Sequence, residues 1–354
     1  MKLLIAAGGT GGHIFPGLAV AEAFIASGTG NEVLFVGTPY GLERKIIPTY
    51  GFRLLEIEAR PFAGQSILLK LATLMRLIQG ILHSVGIMRR EKPNAVIGMG
   101  GFTSVPVMLA AYLLRLPCFL HEQNVFPGLA TRLLSRLAKA TFVSFSATST
   151  YLKGNLEHTG NPIRKNLRAA HVPKKGDEFA VFVFGGSRGA RSINEAILLL
   201  LPYLESYKNT VMYHQTGTDD YEKVKAGYAG VRFPHEVFPF TDSMEKYYSL
   251  ADVVISRAGA STIFELAYFR KAAILVPYPF AAGAHQWKNA AHVEQVGGAH
   301  VIANEELSGE RLHSVLKELH DNREAREKMA RNIGSIYVEN ASESIVKGIA
   351  KHVS

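Results

Sequence analysis

Residues 8–13 of this 354-residue chain read Gly-Gly-Thr-Gly-Gly-His, nearly bare backbone followed by an imidazole. Glycines between a strand and a helix let main-chain N–H groups approach an anion, and the helix N-terminus adds roughly half a positive charge there. An imidazole at that place suits proton transfer, so His13 is a candidate general base; the competing reading is a helix-start histidine bonded locally. The same order of apolar run, glycine turn and helix recurs in "NAVIGMGGFTSVP" from Asn94, "AVFVFGGSRGARSIN" from Ala180 and "ADVVISRAGASTIFEL" from Ala251. In the last, Ser261 and Thr262 stand before Glu265 at capping-box spacing. A plain helix cap competes there with hydroxyls that hold phosphate and a carboxylate that grips a ribose diol. "HEQN", residues 121–124, sets four polar side chains directly after an apolar strand, and Gln286 and Asn289 share a helix face.

The dinucleotide fingerprint fits these glycines poorly. Gly9 and Gly11 supply its first two, but Ile14 takes the third place, and no acid ends "EVLFVG", where a ribose-binding carboxylate belongs. A phosphate-loop lysine motif is absent as well, and "TGTDD" at 216–220 reads as a turn and cap, leaving no convincing metal constellation.

Further strand-type runs lie between the glycine turns: "EVLFVG", "CFLHEQN", "TFVSFS", "NTVMYHQTG" and "AAILVPYPF". Short apolar runs alternating with helical patterns predict α/β architecture, with parallel sheets covered on both faces. The first and third glycine units open similar halves. Turn residues and mixed charge in "HTGNPIRKNLRAAHVPKKGDEFA" put the boundary at about Asn161–Pro162, giving domains 1–162 and 163–339 and a helical tail over about 340–354. Ligands of open parallel sheets bind beyond the carboxyl ends of the strands, so four such loops favour a phosphorylated ligand.

Composition sets the outer bounds. At 47% hydrophobic and 19% charged residues the chain is globular, and its length calls for two cores. Thirty-nine basic against 30 acidic side chains leave +9, which suits an anionic partner. Cys118 is the single cysteine, so an intrachain disulfide and a cysteine-based metal site are excluded and a reducing cytoplasm is expected. "MKLLIAA" stops its apolar run too early for a secretory signal, and a mature cytosolic start is expected. Residues 66–92 carry Leu71, Leu74, Met75, Ile78, Ile81 and Leu82 at helical spacing with Lys70, Arg76, Arg89, Arg90 and Lys92 among them. The interrupting cations argue against a span; the pattern predicts a basic amphipathic helix on anionic lipid, against the plainer reading of a core helix beside a basic loop.

Taken in order, "GGTGGHIFPGLAVA", "GMGGFTSVP", "HEQN", "GNPIR", "GGSRGARSIN", "SRAGASTIFEL" and "HQWKNA" resemble the MurG family of bacterial peptidoglycan glycosyltransferases across nearly the whole chain. The resemblance implies the GT-B fold, with two Rossmann-like domains facing across a cleft and the C-terminal helix returning to the first. It implies an inverting N-acetylglucosaminyl transfer from UDP-GlcNAc to the 4-hydroxyl of the muramyl sugar in undecaprenyl-linked lipid I, giving lipid II and UDP. No cofactor or metal is then required, and the partners are the two substrates and an anionic membrane surface, without nucleic acid. The implied location is the cytoplasmic face of the bacterial plasma membrane. By the same resemblance Thr10, Gly11 and Gly12 lie against the donor, Asn124 contacts the transferred sugar, and Arg164 and Ser187 hold the UDP end. The backbone of Thr241 reads uracil. Ala260, Ser261, Thr262, Ile263, Phe264 and Glu265 form the donor stretch, with Glu265 on the ribose, and Gln286 reads GlcNAc hydroxyls. His13 remains the candidate base, with Glu122 in reserve. A UDP-GlcNAc 2-epimerase, a diacylglycerol glycosyltransferase and a non-catalytic nucleotide-sugar binder are the alternatives.

Overall fold

The computed structural model describes residues 1–59, 67–169, 174, 176–186 and 189–353, with no side-chain description for 67–73 and 169. The chain divides into two compact units, 1–164 with 338–354 and 165–337. Unit 1 holds β1 (Lys2–Ala6), β2 (Glu32–Gly37), β3 (Arg53–Glu56), β4 (Ala95–Gly98), β5 (Cys118–Glu122), β6 (Ala140–Val143) and β7 (Leu156–His158). They form one parallel sheet in the order β3-β2-β1-β4-β5-β6-β7. In register, Ile5 of β1 lies between Phe35 of β2 and Ile97 of β4. Unit 2 repeats the plan with β8 (Phe179–Phe184), β9 (Thr210–Gln215), β10 (His235–Phe238), β11 (Val253–Ser256), β12 (Ala272–Leu275) and β13 (Ala299–Val301), ordered β10-β9-β8-β11-β12-β13.

The interior strands are apolar at nearly every position because helices cover both faces of a parallel sheet. In unit 1 one face packs Leu3, Ile5 and Phe35 against Leu18 and Phe24 of the helix Gly11–Ala26. Ile345 and Ile349 of the last helix, Ala341–Val353, join the same core, which ties the chain's end to its first strand. The other face packs Leu4, Val96 and Leu120 against Ile87, Val107 and Leu134, from the helices Ile67–Glu91, Gly101–Leu113 and Leu129–Leu134. Cys118 is buried in that layer. The core of unit 2 gathers Val181, Val183, Val253 and Ile274 with Ile197, Leu200 and Leu316.

Candidate active site

Strand order decides where a ligand can bind. In each unit the chain leaves the first strand toward one edge and the fourth toward the other, so the sheet has a switch point between β1 and β4 and another between β8 and β11. The four glycine turns of the sequence are the loops at these two places. The helices that follow start at Thr10, Gly100, Ala190 and Gly259, none of which caps its helix with a side-chain hydrogen bond. Their first-turn amides are therefore presented without a competing side-chain oxygen.

In unit 1, Thr10 is the extended residue before the helix and Gly11 and Gly12 are its first two positions. His13 sits one position further, its Nδ1 3.3 Å from the Gly8 carbonyl and 3.4 Å from the Thr10 hydroxyl. The ring lies on the β4 loop: a Cβ at Gly100 would stand 3.3 Å from His13 Nε2, and one at Gly101 would stand 3.1 Å from Nδ1. The glycines of the second loop thus make room for the histidine of the first. Phe15 covers Gly11, 3.1 Å from where its Cβ would be, and the guanidinium of Arg164 stacks 4.4 Å from the Phe15 ring centre.

"HEQN" lies partly inside the sheet, since His121 and Glu122 are the last residues of β5. His121, Glu122 and Gln123 are at most 2% exposed. Glu122 accepts hydrogen bonds from the backbone and side-chain nitrogens of Asn124 (3.0 and 3.1 Å) and from Gly128 N (3.1 Å), and so it shapes the loop that carries Asn124. Gln123 donates to the Met99 carbonyl (2.8 Å) and to His121 Nδ1 (3.0 Å), and Ser144 links the His121 ring to Asn161. Burial pushes the His121 imidazole down to about 4, with a smaller contribution from His13, while its hydrogen bond to the Gly160 carbonyl opposes the shift.

In unit 2, Ser187 falls outside the described residues. Gln215 ties Gly186 of that loop to β10's exit, donating to the Gly186 carbonyl (3.2 Å) and accepting from Thr241 N (3.3 Å). Ser261 and Thr262 lie within the first turn of the helix Ala260–Phe269 and do not cap it, because Gly259 occupies the cap position. Ser261 Oγ is buried and, among the described residues, has no hydrogen-bond partner. Ile263 and Phe264 point into the core, and Glu265 accepts from the Tyr248 hydroxyl at 2.8 Å. Gln286 accepts from Tyr278 N at 2.9 Å. Asn289, on the same helix, is fully buried and donates to the Ala258 carbonyl, bracing the β11 loop.

Sequence reasoning passed over three residues at these loops. Glu43, fully buried, accepts from Gly9 N at 2.9 Å. Arg257 donates to the carbonyls of Val276 and Pro277, to Asn304 and to Ser192, and burial lowers its pKa. Gln215 is the third. Gln215 ends β9 and Arg257 directly follows β11, and a polar residue at the end of an apolar strand is the signal that marks both; Glu43, the first residue of the helix Glu43–Thr49, carries no such signal.

The helix Ile67–Glu91 presents Leu74, Met75, Ile78 and Leu82 at 47–65% exposure. Arg89 and Arg90 are exposed near its end, and Arg90 shares Glu91 with Arg53. Arg76 is half-buried, and the side chains of Lys70 and Leu71 lie outside the described residues. Leu129 and Leu133, in the same helical layer, are about equally exposed beside Arg132 and Arg136. Among the described residues no helix is long and apolar enough to cross a membrane.

Comparison with known proteins joins both units to one family. The N-terminal domain of glycosyltransferase family 28 matches residues 3–143 and its C-terminal domain matches residues 180–351. A UDP-N-acetylglucosamine--N-acetylmuramyl-(pentapeptide) pyrophosphoryl-undecaprenol N-acetylglucosamine transferase of Syntrophotalea carbinolica is 41% identical, with 98% of each chain covered. The crystal structure of Acinetobacter baumannii MurG superposes with a TM-score of 0.81 at 30% identity over 99% of both chains. A UDP-GlcNAc 2-epimerase from Neisseria meningitidis superposes at 0.71 over 99% of this chain and 100% of its own, but at 15% identity it shares the fold alone. The chain has the GT-B fold and belongs to glycosyltransferase family 28, among the MurG N-acetylglucosaminyltransferases.

Proposed function

We propose that the protein transfers GlcNAc from UDP-GlcNAc to the 4-hydroxyl of the muramyl sugar of undecaprenyl-linked lipid I, with inversion, forming lipid II and UDP. The observation that carries this reading is the coincidence of the glycine turns with both topological switch points, in a chain 41% identical to a transferase of that name. Unit 2 holds the donor. The first-turn amides of the helices Arg191–Leu204 and Ala260–Phe269 face the diphosphate, the buried Ser261 hydroxyl gains a phosphate oxygen as its partner, and Glu265 holds the ribose. Ser187 and Arg164 serve the UDP end, Thr241 the uracil, and Gln286 and Asn124 the sugar hydroxyls.

Unit 1 serves the acceptor. The attacking oxygen forms its bond to C1 of GlcNAc while the bond from C1 to the diphosphate oxygen breaks. His13 takes the hydroxyl proton, and the electron pair leaves on UDP. Amides and helix dipoles stabilise the developing charge, which is the work a metal would otherwise do. The three bonds Glu122 accepts within its own loop give it the task of aiming Asn124. The exposed stripe Leu74, Met75, Ile78 and Leu82, with Arg89 and Arg90 further along the helix, seats the protein on the anionic cytoplasmic leaflet of the plasma membrane, where a polyprenyl-linked acceptor resides.

Incubation with labelled UDP-GlcNAc and a lipid I analogue tests the reading. A β-1,4-linked disaccharide on the lipid is expected. Label in UDP-ManNAc without acceptor, or on diacylglycerol, would replace it with the epimerase or the other lipid transferase.

A further inference from the structure

Glu43 is 0% exposed and, among the described residues, makes no ion pair. A buried carboxylate without a cation is costly unless hydrogen bonds compensate it. Here they do: Oε1 accepts from Thr38 N (2.8 Å) and the Thr38 hydroxyl (2.7 Å), and Oε2 accepts from Gly9 N (2.9 Å). Its side chain occupies the space that Cβ atoms at Gly8, Gly37 and Gly41 would need.

The Gly9 N–H and the Gly8 carbonyl are the two ends of one planar peptide group. The first meets Glu43 Oε2 and the second meets His13 Nδ1 at 3.3 Å. A carbonyl only accepts, so Nδ1 carries the proton in this contact, the Thr10 hydroxyl at 3.4 Å then being an acceptor as well, and in the neutral ring Nε2 holds the lone pair. Gly9, at φ +87°, gives the peptide this orientation, and a Cβ at Gly8 would stand 2.6 Å from Thr103 Oγ1 and 2.7 Å from Glu43 Oε1.

We propose that Glu43 is a positioning residue for His13 and acts through the Gly8–Gly9 peptide. The carboxylate draws on the N–H, electron density rises on the carbonyl oxygen, and that oxygen holds Nδ1–H more firmly, as successive hydrogen bonds polarise one another. The imidazole is thereby fixed as the Nδ1–H tautomer, with Nε2 oriented and made more basic. A carboxylate bonded directly to a histidine does this in hydrolase triads; here one peptide group stands between the two. The functional consequence rests on the reading of His13 as the base.

Nitrogen-15 NMR of histidine-labelled protein tests the relay in the wild type, without any substitution. Neutral His13 is expected as the Nδ1–H tautomer, and an Nε2–H signal would overturn the proposal. In Glu43→Gln the amide nitrogen is set against the Gly9 N–H or loses the Thr38 pair. The tautomer ratio should shift toward Nε2–H, and kcat should fall about tenfold or more with the KM for UDP-GlcNAc within about twofold. An unchanged tautomer with unchanged kcat would refute the relay. His13→Ala separates this from the reading beneath it: full kcat in that variant removes His13 as base, whatever the tautomer of the wild-type ring.

Discussion

At the scale of single residues, the protein spends its glycines on neighbours. Gly100 and Gly101 are bare because the His13 ring lies against them, and Gly8 is bare because Glu43 and Thr103 are there. The first loop was legible as a strand-to-helix turn with His13 in the first turn of the helix, since an apolar run precedes the glycines and a helical pattern follows them. Glu43 was not legible, because its role depends on the chain folding back from β2 to the end of β1, a contact across 34 residues. His13→Ala should lower kcat by about a hundredfold or more and change donor affinity little, as expected for a lost general base; an equal kcat with only a raised KM would remove that role. His121 has a consequence for stability. Its folded value of about 4 lies below the ordinary 6.5, so below pH 6.5 the unfolded chain takes a proton that the native state refuses. Stability is therefore complete above about 6.5 and falls as the pH drops toward 4, by about 3 kcal/mol for this group. Urea unfolding at pH 7 and pH 4.5 should show a smaller difference in His121→Gln than in the wild type, and an equal difference would contradict the assignment.

At the scale of elements, the sequence revealed the interior strands and hid the edges. β1, β2, β4, β5, β6, β8, β9, β11 and β12 all appear as apolar runs, whereas β3, β7, β10 and β13 do not. The hidden strands are the four sheet edges, three or four residues long and partly exposed, and "RLLE", "LEH" and "HEVF" carry the polar residues that such positions allow. The "HEQN" stretch shows what its spelling alone does not: His121, Glu122 and Gln123 are buried at the end of the strand and bond to one another and to nearby backbone, in the loop that carries Asn124. The final helix packs through Ile345 and Ile349, both fully buried against the first sheet. Ile349→Ala should destabilise unit 1 by about 2–5 kcal/mol in chemical denaturation, and a change below about 1 kcal/mol would mean the helix is dispensable to that core. Replacing Leu74, Met75 and Ile78 by Ser should weaken binding to anionic vesicles by at least about tenfold while a soluble acceptor still reacts. Unchanged vesicle binding would rule out this face.

At the scale of the whole molecule, two sheets that share the order of six strands, the first with a seventh at its edge, each place a pair of glycine loops at a switch point, and the chain's family assigns the pair of domains to glycosyl transfer. That plan was readable from the recurrence of one pattern, strand then glycines then helix, in both halves. The epimerase fold is close enough to share it, so the strand plan cannot by itself separate the two chemistries. What separates them is the second substrate. A transferase releases UDP only as an acceptor hydroxyl replaces it, whereas an epimerase needs no acceptor. The most direct measurement is the initial rate of UDP release from UDP-GlcNAc by the purified protein, with and without a lipid I analogue. Release that requires the analogue and matches the disaccharide lipid mole for mole is the predicted result. Release at the same rate without it, or conversion of the donor to UDP-ManNAc, would contradict the account.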